Sequence, residues 1–246
     1  MKITPEILEY ANGEEFSNSL EFRLENTKYS GISREETIVD LVRDLDVIHI
    51  GCSDHVPLIR EKIKNNKWLH KLITENSSSC IGIDNDRESI EFLTKELGYS
   101  NVRYGDIMTD TFPEIDSGKW DIAVFGEVIE HLGNPVDFLS AFRRKYGKKV
   151  SKFVISVPNI YNRFNLKNMF RYKEVINSDH RFWFTPYTII KVLASAGFRP
   201  ETIDFANLVS LSKPELAIRK VRRLFHINPL FPYYYFKTII VTGTIG

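Results

Sequence analysis

The sequence has few cysteines, no long apolar run and almost no excess charge. Two cysteines in 246 residues exclude a disulfide-stapled scaffold, so we expect Cys52 and Cys80 to be reduced. No stretch approaches the about 20 consecutive apolar residues of a transmembrane helix, and the polar start does not resemble a secretion signal, which predicts a cytoplasmic protein. Thirty-three basic and 32 acidic residues leave a formal net charge of +1. No extended nucleic-acid-binding surface is therefore expected.

The sequence does contain a repeated alternation of short β-rich runs and longer amphipathic segments, which begins at Val47. This alternation is typical of an α/β fold with a mainly parallel sheet covered by helices. A helix is expected over 187–196, ending at Gly197. The strands predicted from these runs number seven and are Val47–Ile50, Cys80–Ile83, Val102–Tyr104, Asp121–Phe125, Phe153–Val157, Thr202–Phe205 and Phe236–Thr242.

The first predicted strand breaks at Gly51 and continues through Cys52 and Ser53 to His55. A glycine at such a turn lets main-chain N–H groups approach a carboxylate or a phosphate closely. A tight strand-to-helix turn without a ligand also accepts a glycine, so both interpretations remain open. His55 either approaches the ligand or caps the following helix.

Acidic residues follow the next two predicted strands. Asp84 ends the second strand and precedes Asn85, and a carboxylate at this position can accept both hydroxyl hydrogens of a ribose. The alternative is a helix N-cap formed by Asp84 or by Asp86. After the third strand, Asp106 is placed to accept an adenine amino group while Ile107 covers the ring; the alternative is an ordinary turn aspartate.

The fourth predicted strand runs through Gly126 into a polar segment that we expect to be helical. On a helix, Glu127, Glu130 and His131 occur at i, i+3 and i+4 and project from one face. Two carboxylates and an imidazole can hold a divalent cation, and His180 offers a remote fourth ligand. The alternative is that these side chains make structural hydrogen bonds and bind no metal.

Taken in chain order over roughly 47–198, these pieces resemble the class I S-adenosylmethionine-dependent methyltransferases. The resemblance implies a Rossmann-like fold with S-adenosylmethionine as cofactor. The sequence departs from the family pattern, because His49 replaces the usual acid and Ser53 and His55 replace the second and third glycines. The cofactor contacts that the resemblance implies are His49, Gly51, Cys52, Ser53, His55, Asp84, Asn85, Asp106, Ile107, Gly126 and Glu127.

The Glu-x-x-Glu-His pattern with a later histidine is similar to the metal-assisted hydroxyl methyltransferases of ubiquinone synthesis and of small-RNA 3′ ends. That similarity implies Mg²⁺ or another divalent cation held by Glu127, Glu130, His131 and His180, which would orient and acidify an acceptor hydroxyl. Without a metal, His131 or His180 is the expected general base, because a histidine is largely neutral at cytoplasmic pH.

The resemblance divides one domain into an N-terminal helical appendage at 1–45, a cofactor-binding half at 46–160 and an acceptor-binding half with lid insertions at 161–246. Polar residues such as Asn159 and Asn162 and the rings of 182–184 favour a sugar, a glycan or a similar hydroxylated small molecule as acceptor. N-methylation of an amino sugar is the close alternative. A catalytically silent cofactor-binding scaffold is the alternative from another class.

The segment 213–236 combines four arginine and lysine residues over 219–223 with a run of aromatic residues. Such a segment can dock on an anionic membrane. A packed helix with solvated charges is the expected structure, and membrane contact through this segment is the less favoured alternative. A nicotinamide oxidoreductase is disfavoured, because it would need a fuller glycine turn than the one at Gly51.

Overall fold

The computed structural model describes residues 1–22, 24, 27–28, 33–209, 230–231 and 233–245. Within these ranges the strands are β1 Thr27–Lys28, β2 Asp46–Ile50, β3 Ser79–Asp84, β4 Val102–Tyr104, β5 Trp120–Gly126, β6 Val150–Pro158, β7 Phe198–Leu208, β8 Leu230–Phe231 and β9 Phe236–Ile245. The helices are α1 Pro5–Asn12, α2 Arg34–Val42, α3 Val56–Lys64, α4 Leu69–Asn76, α5 Arg87–Lys95, α6 Pro113–Ser117, α7 Pro135–Tyr146, α8 Arg163–Met169 and α9 Pro186–Ser195.

Seven strands form one sheet in the order β4-β3-β2-β5-β6-β9-β7. The first five of these are mutually parallel, whereas β9 is antiparallel to both of its neighbours. The predicted seven-stranded, mainly parallel sheet is confirmed, and strands β1 and β8 form a separate antiparallel pair. From β2, the chain adds strands on one side of the sheet through β3 and then on the other side through β5. A crevice opens at the carboxyl ends of the strands where this direction changes.

The central strands are continuous apolar runs because both faces of the sheet are covered. In β6, the side chains from Phe153 to Val157 are all buried, which is the pattern of a strand with helices on both sides. Helix ends follow local chemistry: Ser33 and Glu36 form a capping box at the start of α2. Gly197, with φ +79, ends the segment that contains α9.

One local prediction was wrong. The residues after β5 do not enter a helix directly but form a 3₁₀ turn over Ile129–His131, and α7 begins only at Pro135. Trp68 is buried and directly precedes α4, which is a separate helix from α3.

The N-terminal region contains α1 and α2, in agreement with the helical character predicted for 1–45, and α1 packs against α9. Of the basic and aromatic segment at 213–236, the residues 213–229 and 232 lie outside the described residues. Among the described residues, no helix has the length and hydropathy needed to cross a membrane. Both cysteines are free, as expected.

Candidate active site

A cleft of about 810 Å³ lies at the carboxyl ends of β2, β3 and β5. The crevice at this edge is where open α/β sheets bind ligands. Its lining includes every residue for which the sequence predicted a cofactor contact or a catalytic role: His49, Gly51, Cys52, Ser53, His55, Asp84, Asn85, Asp106, Ile107, Gly126, Glu127, His131 and His180.

The turn after β2 lines the cleft and requires glycine at its first position. Gly51 has φ +70, and a Cβ atom there would lie 2.3 Å from Cγ2 of Val128. Only glycine fits this position, since any side chain would meet Val128 and strain the backbone. The N–H of Gly51 donates to the carbonyl oxygen of Ile83 at 2.9 Å, which fixes the turn against β3.

The carboxylate of Asp84 is held in place at the end of β3. Its Oδ2 accepts from the N–H of Ser53 at 2.9 Å, and its Oδ1 accepts from the N–H of Asp86 at 3.0 Å. Asp86 caps α5 by accepting from the N–H groups of Glu88 and Ser89. Both acids line the cleft, but they take separate roles, because Asp86 caps the start of α5 and Asp84 does not.

At the next strand end, Asp106 is exposed and accepts from the N–H of Met108 at 2.8 Å, as a turn aspartate does. It also lines the cleft beside Ile107, whose side chain is buried. The turn role of Asp106 is thus observed, while its contact with adenine stays a prediction that its place at the cleft allows.

His49 lies beneath the cleft in a buried pair with His70, a residue that the sequence did not indicate. Their Nδ1 atoms are 3.2 Å apart, so one ring donates to the other. Burial, and then the neighbouring His70, lower the pKa of His49 well below its usual value, and burial lowers the pKa of His70 to about 4. Both imidazoles are therefore neutral at physiological pH.

Arg34 of α2 is a cleft-lining residue that sequence reasoning missed. Its guanidinium is buried and lies 2.7 Å from the carboxylate of Glu127 and 2.8 Å from that of Glu35. Glu127 itself has φ +60, which turns its side chain toward Arg34. The predicted grouping of Glu127 with Glu130 and His131 on one helix face is therefore wrong, because the backbone here is not helical.

Glu130, His131 and His180 do come together. One ligand atom from each lies within 4.8 Å of the others, which makes a possible metal site among the described residues. The Glu130 carboxylate is fully buried, and neither oxygen has a hydrogen-bond partner. Burial, together with the charge of Glu127, raises the pKa of Glu130 to about 8. Burial and the neighbouring His131 lower the pKa of His180.

The lid residues before α9 are tied to this cluster through the backbone. The carbonyl oxygen of Glu130 accepts from the N–H groups of Arg181 at 2.8 Å and Phe182 at 3.2 Å. Across the cleft, Nε2 of His55 lies 3.7 Å from Oδ2 of Asp179. These contacts place His180 against His131, with their ring centroids 4.7 Å apart.

Asn159 and Asn162 have structural roles and do not line the cleft. Asn159 is buried and donates to the carbonyl oxygens of Tyr233 and Phe236. Asn162 caps α8 by accepting from the N–H of Asn165 at 3.0 Å. The expectation that these polar side chains meet the acceptor is therefore wrong; they instead satisfy buried main-chain groups.

Comparison of the whole chain with solved structures places this geometry in a known fold. A SAM-dependent methyltransferase from Archaeoglobus fulgidus matches with a TM-score of 0.52 at 17% identity, over 86% of this chain and 91% of that one. The small RNA methyltransferase HEN1 matches with a TM-score of 0.52 at 16% identity, over 93% of this chain and 27% of that one. The chain has the fold of the class I SAM-dependent methyltransferases.

The YcgJ protein from Bacillus subtilis also has this fold, with a TM-score of 0.51 at 13% identity over 85% of this chain and 97% of that one. No protein-family model and no curated protein matches the sequence. The class I methyltransferase fold is thus established by structure, while the chemistry of this chain has to be argued from its own cleft.

Proposed function

We propose that the protein is a SAM-dependent methyltransferase that methylates a hydroxyl group of a sugar, a glycan or a similar hydroxylated small molecule. One observation carries the proposal: the fixed carboxylate of Asp84 and the imidazoles of His131 and His180 line the same cleft. A candidate ribose-binding acid and two candidate bases thus line one cleft at the ligand-binding edge of the fold.

The polar groups of the cleft match the parts of the cofactor. The Asp84 carboxylate is suited to the ribose hydroxyls, because two backbone hydrogen bonds already fix its orientation. Asp106 and Ile107 are suited to the adenine. The methionyl part would lie beside the turn at Gly51 and near Arg34, which both line the cleft.

The Glu130, His131 and His180 cluster fits a divalent cation. A fully buried carboxylate with no partner is costly, and a cation bound to one carboxylate oxygen and two imidazole nitrogens would satisfy it. Such an ion would lower the pKa of a bound acceptor hydroxyl. Binding would require Glu130 to release the proton that its raised pKa retains.

The transfer itself requires that the acceptor oxygen attack the sulfonium methyl in line while the C–S bond breaks and a neutral thioether leaves. The hydroxyl proton needs an acceptor, and when no metal is bound His180 is suited to this role because its lowered pKa keeps the ring neutral near pH 7. His131 is the neighbouring alternative. The cleft contributes by holding both reactants in register and excluding water.

Calorimetric titration of S-adenosylhomocysteine tests the cofactor half of the proposal. We expect stoichiometric binding to the wild type and at least about 100-fold weaker binding to Asp84→Ala. Asp121→Ala is the matched control, because Asp121 also accepts a backbone N–H but lies at the start of β5, outside the cleft. Absence of binding to the wild type would refute the proposal.

The metal and the acceptor are tested separately. Titration of Mg²⁺ or Mn²⁺ into the wild type should give one site, which is lost in Glu130→Gln and His180→Asn but kept in the exposed control Glu96→Gln. Methyl transfer from labelled SAM to a panel of sugars and glycans, with and without chelator, then identifies the acceptor. If both variants still turn over substrate, and the wild type does so in chelator, the reaction does not require a metal. The proposed methyl transfer would then stand without it.

A further inference from the structure

The exposed apolar surface of this protein is concentrated in one segment. Fourteen large hydrophobic side chains of the described residues are exposed, and eight of them lie between 161 and 182. Such a concentration marks an interaction site, since monomeric proteins rarely expose contiguous apolar patches. The eight are Tyr161, Phe164, Met169, Phe170, Tyr172, Val175, Ile176 and Phe182.

The most exposed rings of this segment sit on a defined turn that follows α8. Phe170 is 87% exposed and Tyr172 is 100% exposed. The turn is closed by main-chain hydrogen bonds from Tyr172 to Met169 at 2.9 Å and from Lys173 to Asn168 at 3.0 Å. The backbone therefore holds these rings outward in a fixed arrangement.

The same stretch is basic. Residues 161–173 contain four arginine and lysine residues and no acid. Lys167, Arg171 and Lys173 are exposed, and Lys167 lies three residues from both Phe164 and Phe170, which places cation and rings along one side of the helix.

The nearest acids of the lid are already engaged. Glu174 accepts a hydrogen bond from Nε1 of Trp183 at 2.9 Å. Asp179 lies 3.7 Å from Nε2 of His55. The positive charge of the basic stretch is therefore not neutralised by ion pairs with these two carboxylates.

We propose that the segment 161–176, which we call the lid face, docks on the surface of an anionic lipid bilayer. Exposed rings and aliphatic side chains beside lysine and arginine are the composition of a membrane-interface segment, and each cation near an anionic surface adds to the attraction. A second copy of the same face would bring like charges together. A single-stranded nucleic acid would use the rings, but it would leave Met169, Val175 and Ile176 without stacking partners.

Docking would have a consequence for the cleft. The lid face continues directly into Asn177–His180, and all four of these residues line the cleft. A bilayer bound to the lid face would therefore lie close to the cleft mouth, where an acceptor carried by a lipid could enter. The docking is independent of the proposed methyl transfer and is measured without cofactor.

The test is co-sedimentation of the full chain with two kinds of vesicle, one of phosphatidylcholine alone and one containing phosphatidylglycerol. We expect binding to the anionic vesicles that weakens with salt and little binding to the neutral ones. Lys167→Glu with Lys173→Glu, and separately Phe170→Ser with Tyr172→Ser, should each lower the partition coefficient at least about tenfold.

Matched controls are available on the same chain. Phe16→Ser removes a ring that is 82% exposed but lies outside the lid face, and Lys64→Glu reverses an exposed lysine at the end of α3. Both should bind vesicles as the wild type does. Circular dichroism and S-adenosylhomocysteine binding confirm that each variant is folded, and they report on the proposed function separately.

Three results would overturn the proposal. The first is that the wild type does not sediment with anionic vesicles. The second is that the lid-face variants bind them as well as Phe16→Ser and Lys64→Glu do. The third is that the lid face serves another partner, shown by a dimer in light scattering that the Phe170→Ser and Tyr172→Ser changes dissociate, or by tighter binding of a single-stranded oligonucleotide than of vesicles.

Discussion

The buried guanidinium of Arg34 and the partly exposed carboxylate of Glu127 form an ion pair of 2.7 Å that joins helix α2 to the end of strand β5. The pair connects the N-terminal helices to the edge of the sheet where the cleft opens. It also directs Glu127 away from Glu130 and the two histidines. The candidate metal site consequently has three protein ligands among the described residues, which leaves room for an acceptor oxygen.

We predict that Arg34→Met destabilises the protein by about 2 kcal/mol, because it leaves the partly exposed Glu127 without its partner. Adding Glu127→Gln should recover most of this loss, since the uncompensated charge is then gone. Urea unfolding of the wild type, both single variants and the double variant gives the coupling energy. Arg43→Met, at an exposed ion pair with Asp40, is the control and should change stability by less than about 1 kcal/mol. Additive effects of the two changes would show that the pair is not coupled.

A comparison of two glycines separates backbone strain from steric exclusion. Gly51 and Gly98 have φ +70 and +73, but only Gly51 has a neighbour within contact distance of a Cβ atom. Gly98→Ala should therefore cost about 1 kcal/mol from strain alone. Gly51→Ala should cost more and should also weaken S-adenosylhomocysteine binding, because the turn must move away from Val128. If Gly51→Ala and Gly98→Ala lose equal stability in urea unfolding, the close approach to Val128 does not contribute to the free energy of unfolding.

The buried histidine pair predicts loss of stability in acid. The pKa of His70 is about 4 in the folded protein against a usual 6.5, so between these values the unfolded chain binds more protons. Stability is then complete above pH 6.5 and is lost as the pH falls toward 4. His70→Gln should reduce the difference in unfolding free energy between pH 7 and pH 4 by about 2 kcal/mol. An unchanged difference in His70→Gln would contradict the assignment.

In the absence of a metal, Glu130 should have the opposite effect and lower the stability of the fold as the pH rises. Burial raises its pKa to about 8, so in chelator the folded protein holds a proton that the unfolded chain loses above about pH 4.5. The contribution of Glu130 to stability is therefore complete below pH 4.5 and is lost as the pH rises through 8. Glu130→Gln should flatten the dependence of the unfolding free energy between pH 5 and pH 8.5. Saturating divalent ion should do the same in the wild type, whereas an unchanged slope in Glu130→Gln would place the titration elsewhere.

Much of the fold could be predicted because the signals are local. The seven strands of the main sheet are short runs rich in β-branched residues, and burial on both faces explains their continuous apolar character. The helix caps at Asp86 and Gly197 likewise depend only on neighbouring residues. For the same reason, the positions of the cleft-lining residues followed from the strand ends.

The errors arose where a distant residue or a backbone angle decided the outcome. The i, i+3, i+4 spacing of Glu127, Glu130 and His131 indicated one helix face, but Glu127 has φ +60 and pairs with Arg34, a residue 93 positions earlier. The partnership of His49 with His70 had no sequence signal, because nothing in a single sequence shows which buried groups meet. Asn159 was expected to contact an acceptor but satisfies main-chain groups of the last strand region.

The sequence alone determined the alternating α/β order, the glycine turn at Gly51 and the acid at Asp84, because hydrophobic periodicity and turn chemistry act between neighbours in the chain. Only the tertiary structure decided which charged and titratable groups share an environment. It placed Arg34 on Glu127, buried Glu130 beside two histidines and left the rings near Phe170 exposed. Long-range packing sets burial and electrostatic partners, and these, more than residue type, fix the protonation and reactivity of a site.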